Sequence, residues 1–111
     1  MIKIKNIDGE VIHTVNGNTL ESADLRHANL VEADLRHANL TEADLRYANL
    51  EDADLEGANL TDADLEGANL YGANLTGSNY CDANLTGANL ANTIIAGDTT
   101  IQRIDEDFDY V

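Results

Sequence analysis

From Asn18 to Gly97 the chain repeats itself every five residues, and that period excludes most folds at once. The central position is leucine at every fifth residue from Leu20 to Leu75, followed by Tyr80, Leu85, Leu90 and Ile95. Alanine stands two residues earlier, from Ala23 to Ala73, and then Ser78, Ala83, Ala88 and Thr93. Sixteen such units follow one another without an insertion. In a helix, five residues advance the chain by about 500°, so successive leucines would rotate by about 140° and form no stripe. In an extended chain, Ala and Leu two apart point to one side and the Asp or Asn between them points away. Two more outward residues then break the alternation and demand a corner. Each unit is a short wall plus a turn, and repetition winds the chain around a column of leucine and alanine.

The units read Ala23-Asp24-Leu25-Arg26-His27, Ala28-Asn29-Leu30-Val31-Glu32 and onward. They resemble the pentapeptide-repeat family, whose signature is A(D/N)LXX. The resemblance implies an all-β fold, a right-handed quadrilateral β-helix with four units per coil, and hence about four coils here. Asp and Asn alternate between units in the first half, as an even number of sides permits. Buried leucines at about 1.5–3 kcal/mol each supply the main favourable term. Tyr80, standing at a leucine position, calls for a hydroxyl partner or a route outward.

An open stack of coils exposes strand edges and core, so caps are expected at both ends. Ile2-Lys3-Ile4-Lys5 alternates, Asp8-Gly9 signals a turn and Val11–Val15 is again β-prone, so residues 1–17 read as an N-terminal β cap on the 18–97 solenoid. Residues 98–111 leave the repeat. Thr99-Thr100-Ile101-Gln102 fits a capping box, and Ile101, Ile104 and Phe108 share a helical face, which reads as a short acidic helical cap. A sharper reading adds a homodimer through Ile101, Ile104, Phe108 and Val111, as the resemblance to gyrase-protecting members implies.

Charge is the outlier in composition: 21 acids against 6 Lys and Arg give −15. Residues 1–50 hold eight acids and five bases, net −3; residues 51–111 hold thirteen acids and Arg103 alone, net −12. Such a chain repels nucleic acid and anionic membranes, and its natural partners are basic protein surfaces, of which DNA-binding grooves are the commonest. The repeat builds in Asp24, Asp34, Asp44, Asp54 and Asp64, but not the acids at the corners. Stacking by twenty puts Glu42, Asp62 and Asp82 in one column and Glu32 over Asp52 on the opposite edge, leaving two edges mainly of Asn and Gly. Over an expected rod of about 25–30 Å, the net charge approaches the roughly one per 1.7 Å of duplex DNA.

No nucleophile–base pair, phosphate loop, nucleotide fingerprint or calcium loop occurs, so neither an enzyme nor a cofactor is expected. His27 and His37 fall on opposite edges, where they cannot share a metal. Cys81 cannot form an internal disulfide, and with no secretory signal or spanning segment the expected compartment is the cytoplasm. The Asn-Leu-Thr sequons from Asn39, Asn59, Asn74 and Asn84 are by-products of the repeat. Two functions remain open. One is a DNA mimic that occupies and inhibits or protects a gyrase, a restriction enzyme or a CRISPR surveillance complex, through Glu42, Glu51, Asp52, Asp54, Glu56, Asp62, Asp64 and Glu66. Its alternative is a non-catalytic interaction scaffold whose acidity serves solubility.

Overall fold

A five-residue unit closes on itself only if its corner is made by two residues. In the computed structural model, which describes residues 1–95 and the backbone of Arg103–Ile104, this is how each unit is built. The alanine N–H that opens a unit donates to the carbonyl of the preceding leucine, as Ala28 does to Leu25 at 3.1 Å and Ala53 to Leu50 at 3.0 Å. The second corner residue always has a left-handed backbone: Ser22, His27, Glu32, His37, Glu42, Tyr47 and Asp52 lie at φ 57–61°, and the series continues to Asn92 at φ 59°. A positive φ at only the second central residue is the mark of a type II turn. Five of these corners, beginning with Gly57 and Gly67, use glycine, the residue that adopts this conformation without steric cost.

The walls pair in parallel with the chain twenty residues on: Asp24 with Asp44, Asn29 with Asn49, and so on to Asn74 with Ile94. Twenty residues are four units of five, so each turn of the solenoid, here called a rung, is four-sided. Three backbone hydrogen bonds tie a unit to the rung above. Leu50 N donates to Asn69 O at 2.7 Å, Asn69 N to Ala48 O at 2.9 Å, and at the corner Asp52 N to Tyr71 O at 2.8 Å. No helix occurs among the described residues. The chain is therefore an all-strand β-helix-type solenoid.

Leu25, Leu30, Leu40, Leu45, Leu50, Leu55, Leu60, Leu65 and Leu70 are fully buried along the axis, with the alanines beside them. Thr93, at an alanine position, stays buried because its hydroxyl donates to Leu70 O at 2.7 Å. Packing loosens in the last rung, where Ala83, Leu85 and Ala88 are half-buried. Tyr80 takes the outward route and is 37 % exposed, since a phenol is too long for the leucine column and its hydroxyl is better kept in water.

At the N-terminal end, strand β1 (Ile2–Lys5) pairs antiparallel with β2 (Val11–Val15), with an irregularity between Ile4 and Lys5. The Asn6 side chain organises the turn between them, accepting from Asp8 N and Glu10 N at 3.0 Å each. The hairpin is sewn to the first rung by Asp34 N to Lys5 O (2.7 Å) and Ile7 N to Glu32 O (2.9 Å), and Ile4 is buried in the core. At the other end, β3 (Thr93–Ile94) pairs antiparallel with β4 (Arg103–Ile104). The capping-box residues 99–102 lie outside the described residues; within the expected helical cap, Arg103 and Ile104 are strand instead, because their backbone finds partners on the edge of the last rung. Of the apolar positions read as dimer contacts, Ile101, Phe108 and Val111 lie outside the described residues, and Ile104 is described by its backbone alone.

Leu45→Ala, at a fully buried site between two rungs, is expected to cost about 2–5 kcal/mol in urea denaturation. Leu85→Ala in the loosened last rung should cost clearly less, and equal losses would contradict this gradient of packing.

Candidate partner-binding surface

The outward Asp or Asn of each wall has a structural task before any other. Its side-chain oxygen accepts the N–H of the residue two positions on, which opens the corner: Val31 N to Asn29 at 3.3 Å, Glu51 N to Asn49 at 3.1 Å, Glu56 N to Asp54 at 3.1 Å, Glu66 N to Asp64 at 3.1 Å. Asp and Asn are short enough to make this loop and still present an acceptor, and Thr19 does the same at the first corner, accepting Glu21 N at 3.1 Å. The repeat therefore asks for a side-chain oxygen here and is indifferent to its charge.

Stacking decides where the charge is tolerated. Asparagine above either residue donates downward: Asn74 to Asp54 at 3.4 Å, Asn84 to Asp64 at 3.1 Å, Asn89 to Asn69 at 3.3 Å. Aspartate on aspartate cannot do this, and two carboxylates about 4.8 Å apart repel by roughly 1 kcal/mol even in water. The wall columns contain three such steps, and an arginine stands at each. Arg26 binds Asp24 through two hydrogen bonds of 2.9 Å and reaches Asp44 at 3.6 Å; Arg46 binds Asp44 at 2.7 Å and reaches Asp64 at 3.8 Å; Arg36 binds Asp34 at 2.8 Å and reaches Asp54 at 4.0 Å. All three arginines of the repeat are spent in this way.

The arginine hydrogen bonds hold the Asp24, Asp34 and Asp44 carboxyls below the usual carboxylate range, and the arginines are raised in turn. A depressed folded-state pKa contributes stability that is present above the unfolded value near 3.8 and is lost as pH falls through the folded one. The gap in thermal midpoint between the native chain and Arg26→Gln/Arg36→Gln/Arg46→Gln should thus be widest above pH about 4 and close below it. A gap independent of pH would refute the ladder.

The residues singled out from sequence divide accordingly. Asp54 and Asp64 are engaged by Arg36 and Arg46 and by the asparagines above them, so they are not free charges. Glu42, Glu51, Asp52, Glu56, Asp62 and Glu66 sit at corners, and no ion pair reaches them among the described residues. Pairing by twenty does place Glu42, Asp62 and Asp82 in one corner column and Glu32 under Asp52 in the opposite one. The two remaining corners are less neutral than the sequence reading has them, because Glu56 and Glu66 stand there. One rung, residues 51–66, consequently carries a carboxylate at all four corners, with Glu56 and Glu66 still in the field of Arg36 and Arg46: a belt rather than a single side.

Corner side chains lean toward the rung that follows. A methyl group built on Gly67 would fall against the Tyr47 ring, one on Gly57 against His37 and one on Gly72 against Asp52. Tyr47 in turn stacks on His27, with ring centres 5.3 Å apart and planes 14° from parallel. Sequence reasoning missed both this stack and the arginine bridges. Their signals were present, in Asp-x-Arg at 24, 34 and 44 and in a glycine twenty residues after each of Tyr47, His37 and Asp52. His27 and His37 occupy opposite corners, and no metal-binding cluster occurs among the described residues. Gly67→Ala combines a left-handed φ, costing about 1–2 kcal/mol, with a clash against the ring. Its cost should therefore shrink in a Tyr47→Ala background. Equal cost in both backgrounds, by chemical denaturation of the four proteins, would contradict the contact.

A family model for pentapeptide repeats matches the chain in eight copies, over residues 20–57 and 38–77. No curated protein matches it. Among solved structures, it is similar to a pentapeptide repeat protein from the cyanobacterium Cyanothece 51142, with 46 % identity over 63 % of this chain and 52 % of that one and a TM-score of 0.42. This chain thus spans about half the length of that protein. A pentapeptide repeat protein from Nostoc PCC 7120 shows 34 % identity over 78 % of this chain and 77 % of its own, with a TM-score of 0.40. HetL, a protein involved in heterocyst differentiation regulation from Nostoc sp. strain PCC 7120, shows 25 % identity over 78 % and 63 %, with a TM-score of 0.32.

Proposed function

The chain belongs to the pentapeptide-repeat family, and from that premise we propose that it acts without chemistry of its own, as an acidic rod that occupies the duplex-binding groove of a DNA-binding protein. The observation that carries this reading is the belt at residues 51–66. Its carboxylates face outward at every corner, the arginines of the repeat are committed elsewhere, and the described solenoid holds no base after Arg46. Residues 1–95 carry sixteen acids against five Lys and Arg, net −11, the sign that duplex DNA presents to the same basic groove.

On this reading the winding is the family's right-handed one, in about four coils, and partner lysines and arginines meet Glu42, Glu51, Asp52, Glu56, Asp62 and Glu66 in place of phosphates. Asp54 and Asp64 support the belt as rung-to-rung contacts more than as direct ligands. The candidate targets are a gyrase, a restriction enzyme and a CRISPR surveillance complex in the cytoplasm, and two rods joined at their C-terminal ends would offer a longer surface.

The test is competition against labelled duplex DNA for purified members of those three classes. Displacement of duplex from at least one is expected, weakening steeply as salt rises. Glu51→Lys/Asp52→Lys/Glu56→Lys/Asp62→Lys should lose the effect while keeping the circular dichroism of the native rod. The proposal fails if no class is displaced, or if displacement is unchanged in the reversed variant. Capture that survives high salt would favour a scaffold whose acidity serves solubility.

A further inference from the structure

Asn16 and Gly17 lie between β2 and the first unit of the solenoid, in the short link from Val15 to Leu20. Both are exposed, Gly17 has a left-handed φ of 104°, and nothing approaches within 4 Å of the place where a Cβ would stand on it. Among the described residues neither the Asn16 carboxamide nor the Gly17 N–H takes part in a hydrogen bond. Ten of the other asparagines are held differently. Nine of them, such as Asn49, have the side-chain oxygen bound by an N–H two residues on. Each of the nine is followed by Leu or Tyr, and within the stacked rungs the N–H of that next residue donates to the rung above, as Leu50 N does to Asn69 O. Asn6 is likewise fixed by two backbone donors and is followed by Ile.

We propose that Asn16–Gly17 is a site of spontaneous deamidation and isoaspartate formation in the folded protein. The Gly17 amide nitrogen attacks Cγ of Asn16, forming the N–Cγ bond. The Cγ–Nδ2 bond breaks, and Nδ2 leaves as ammonia with the proton that the Gly17 nitrogen gives up. Water then opens the cyclic imide at either carbonyl. Opening at Cγ restores a normal chain with aspartate; opening at the main-chain carbonyl leaves the chain running through Cγ. The attack needs a bare nitrogen, a rotatable carboxamide and a following residue with no side chain in the way. Asn16 meets all three conditions, and Asn18, followed by β-branched Thr19, serves as the internal comparison. Each event adds one negative charge to the link that joins the hairpin to the rod, and the isoaspartyl product also lengthens its backbone by one methylene. A protein isoaspartyl methyltransferase would take that product as a substrate.

The full-length native chain is incubated in mildly alkaline buffer, digested and mapped by mass spectrometry, with methyl transfer from a purified isoaspartyl methyltransferase as the second readout. The amide-to-acid mass gain is expected first and predominantly in the peptide containing Asn16, together with methyl incorporation. Asn16→Gln should lose most of that incorporation, because its ring closure is disfavoured, while retaining the native circular dichroism. Three results would overturn the proposal: conversion at ladder asparagines ahead of Asn16, methyl incorporation undiminished in Asn16→Gln, or an unchanged Asn16 under conditions that convert a free peptide of residues 12–22.

Discussion

Turning a chain through a corner with only two residues is the constraint on which the rest of this molecule depends. The second of those residues must adopt a left-handed backbone, and the first must have its N–H caught by the wall residue before it. Those two demands set the period at five and put a short side-chain oxygen in the walls from Thr19 to Asn89. Four corners close a rung, so each wall pairs with the wall twenty residues away and every outward residue acquires a column. Packing of leucine inside and stacking of charge outside are consequences of the same corner.

Because the wall position needs an oxygen and not a charge, the distribution of Asp and Asn is free to answer to electrostatics. In the first rungs aspartates stack and arginines fill the steps between them; farther along, asparagine replaces either partner and the arginines cease. Net charge alone hides this distinction. Two carboxylates of equal formal charge, Asp64 in a wall and Asp62 at a corner, differ in that one is enclosed by donors and the other faces solvent. A partner would feel the second far more than the first.

The five-residue period made the inward leucines, the outward corners and the columns of Glu42, Asp62 and Asp82 legible in the sequence, since each follows from counting along a fixed repeat. Side-chain direction at the corners did not follow from counting. That Tyr47 lies over Gly67 and stacks on His27 depends on the lean imposed by a positive φ, a torsional property that periodicity does not carry. The arginine bridges were obscured for a related reason: Arg26 was counted as one more charge on its half of the chain, whereas its length lets it span two rungs. Where the repeat ends, periodicity is silent, and a local capping motif suggested a helix at Arg103–Ile104 although a free strand edge lay within reach.

The lean of the corner side chains gives the rod an arrow. A bulky residue in one rung is accommodated by a glycine in the next, so Tyr47 before Gly67 and His37 before Gly57 fit, whereas the reverse order would leave the glycine uncovered and drive the ring outward. Rungs are therefore not interchangeable parts. A solenoid of this kind grows safely at the glycine-rich end or by copying whole rungs in sequence. A shuffle that kept every repeat motif intact would still disturb the fit between neighbours.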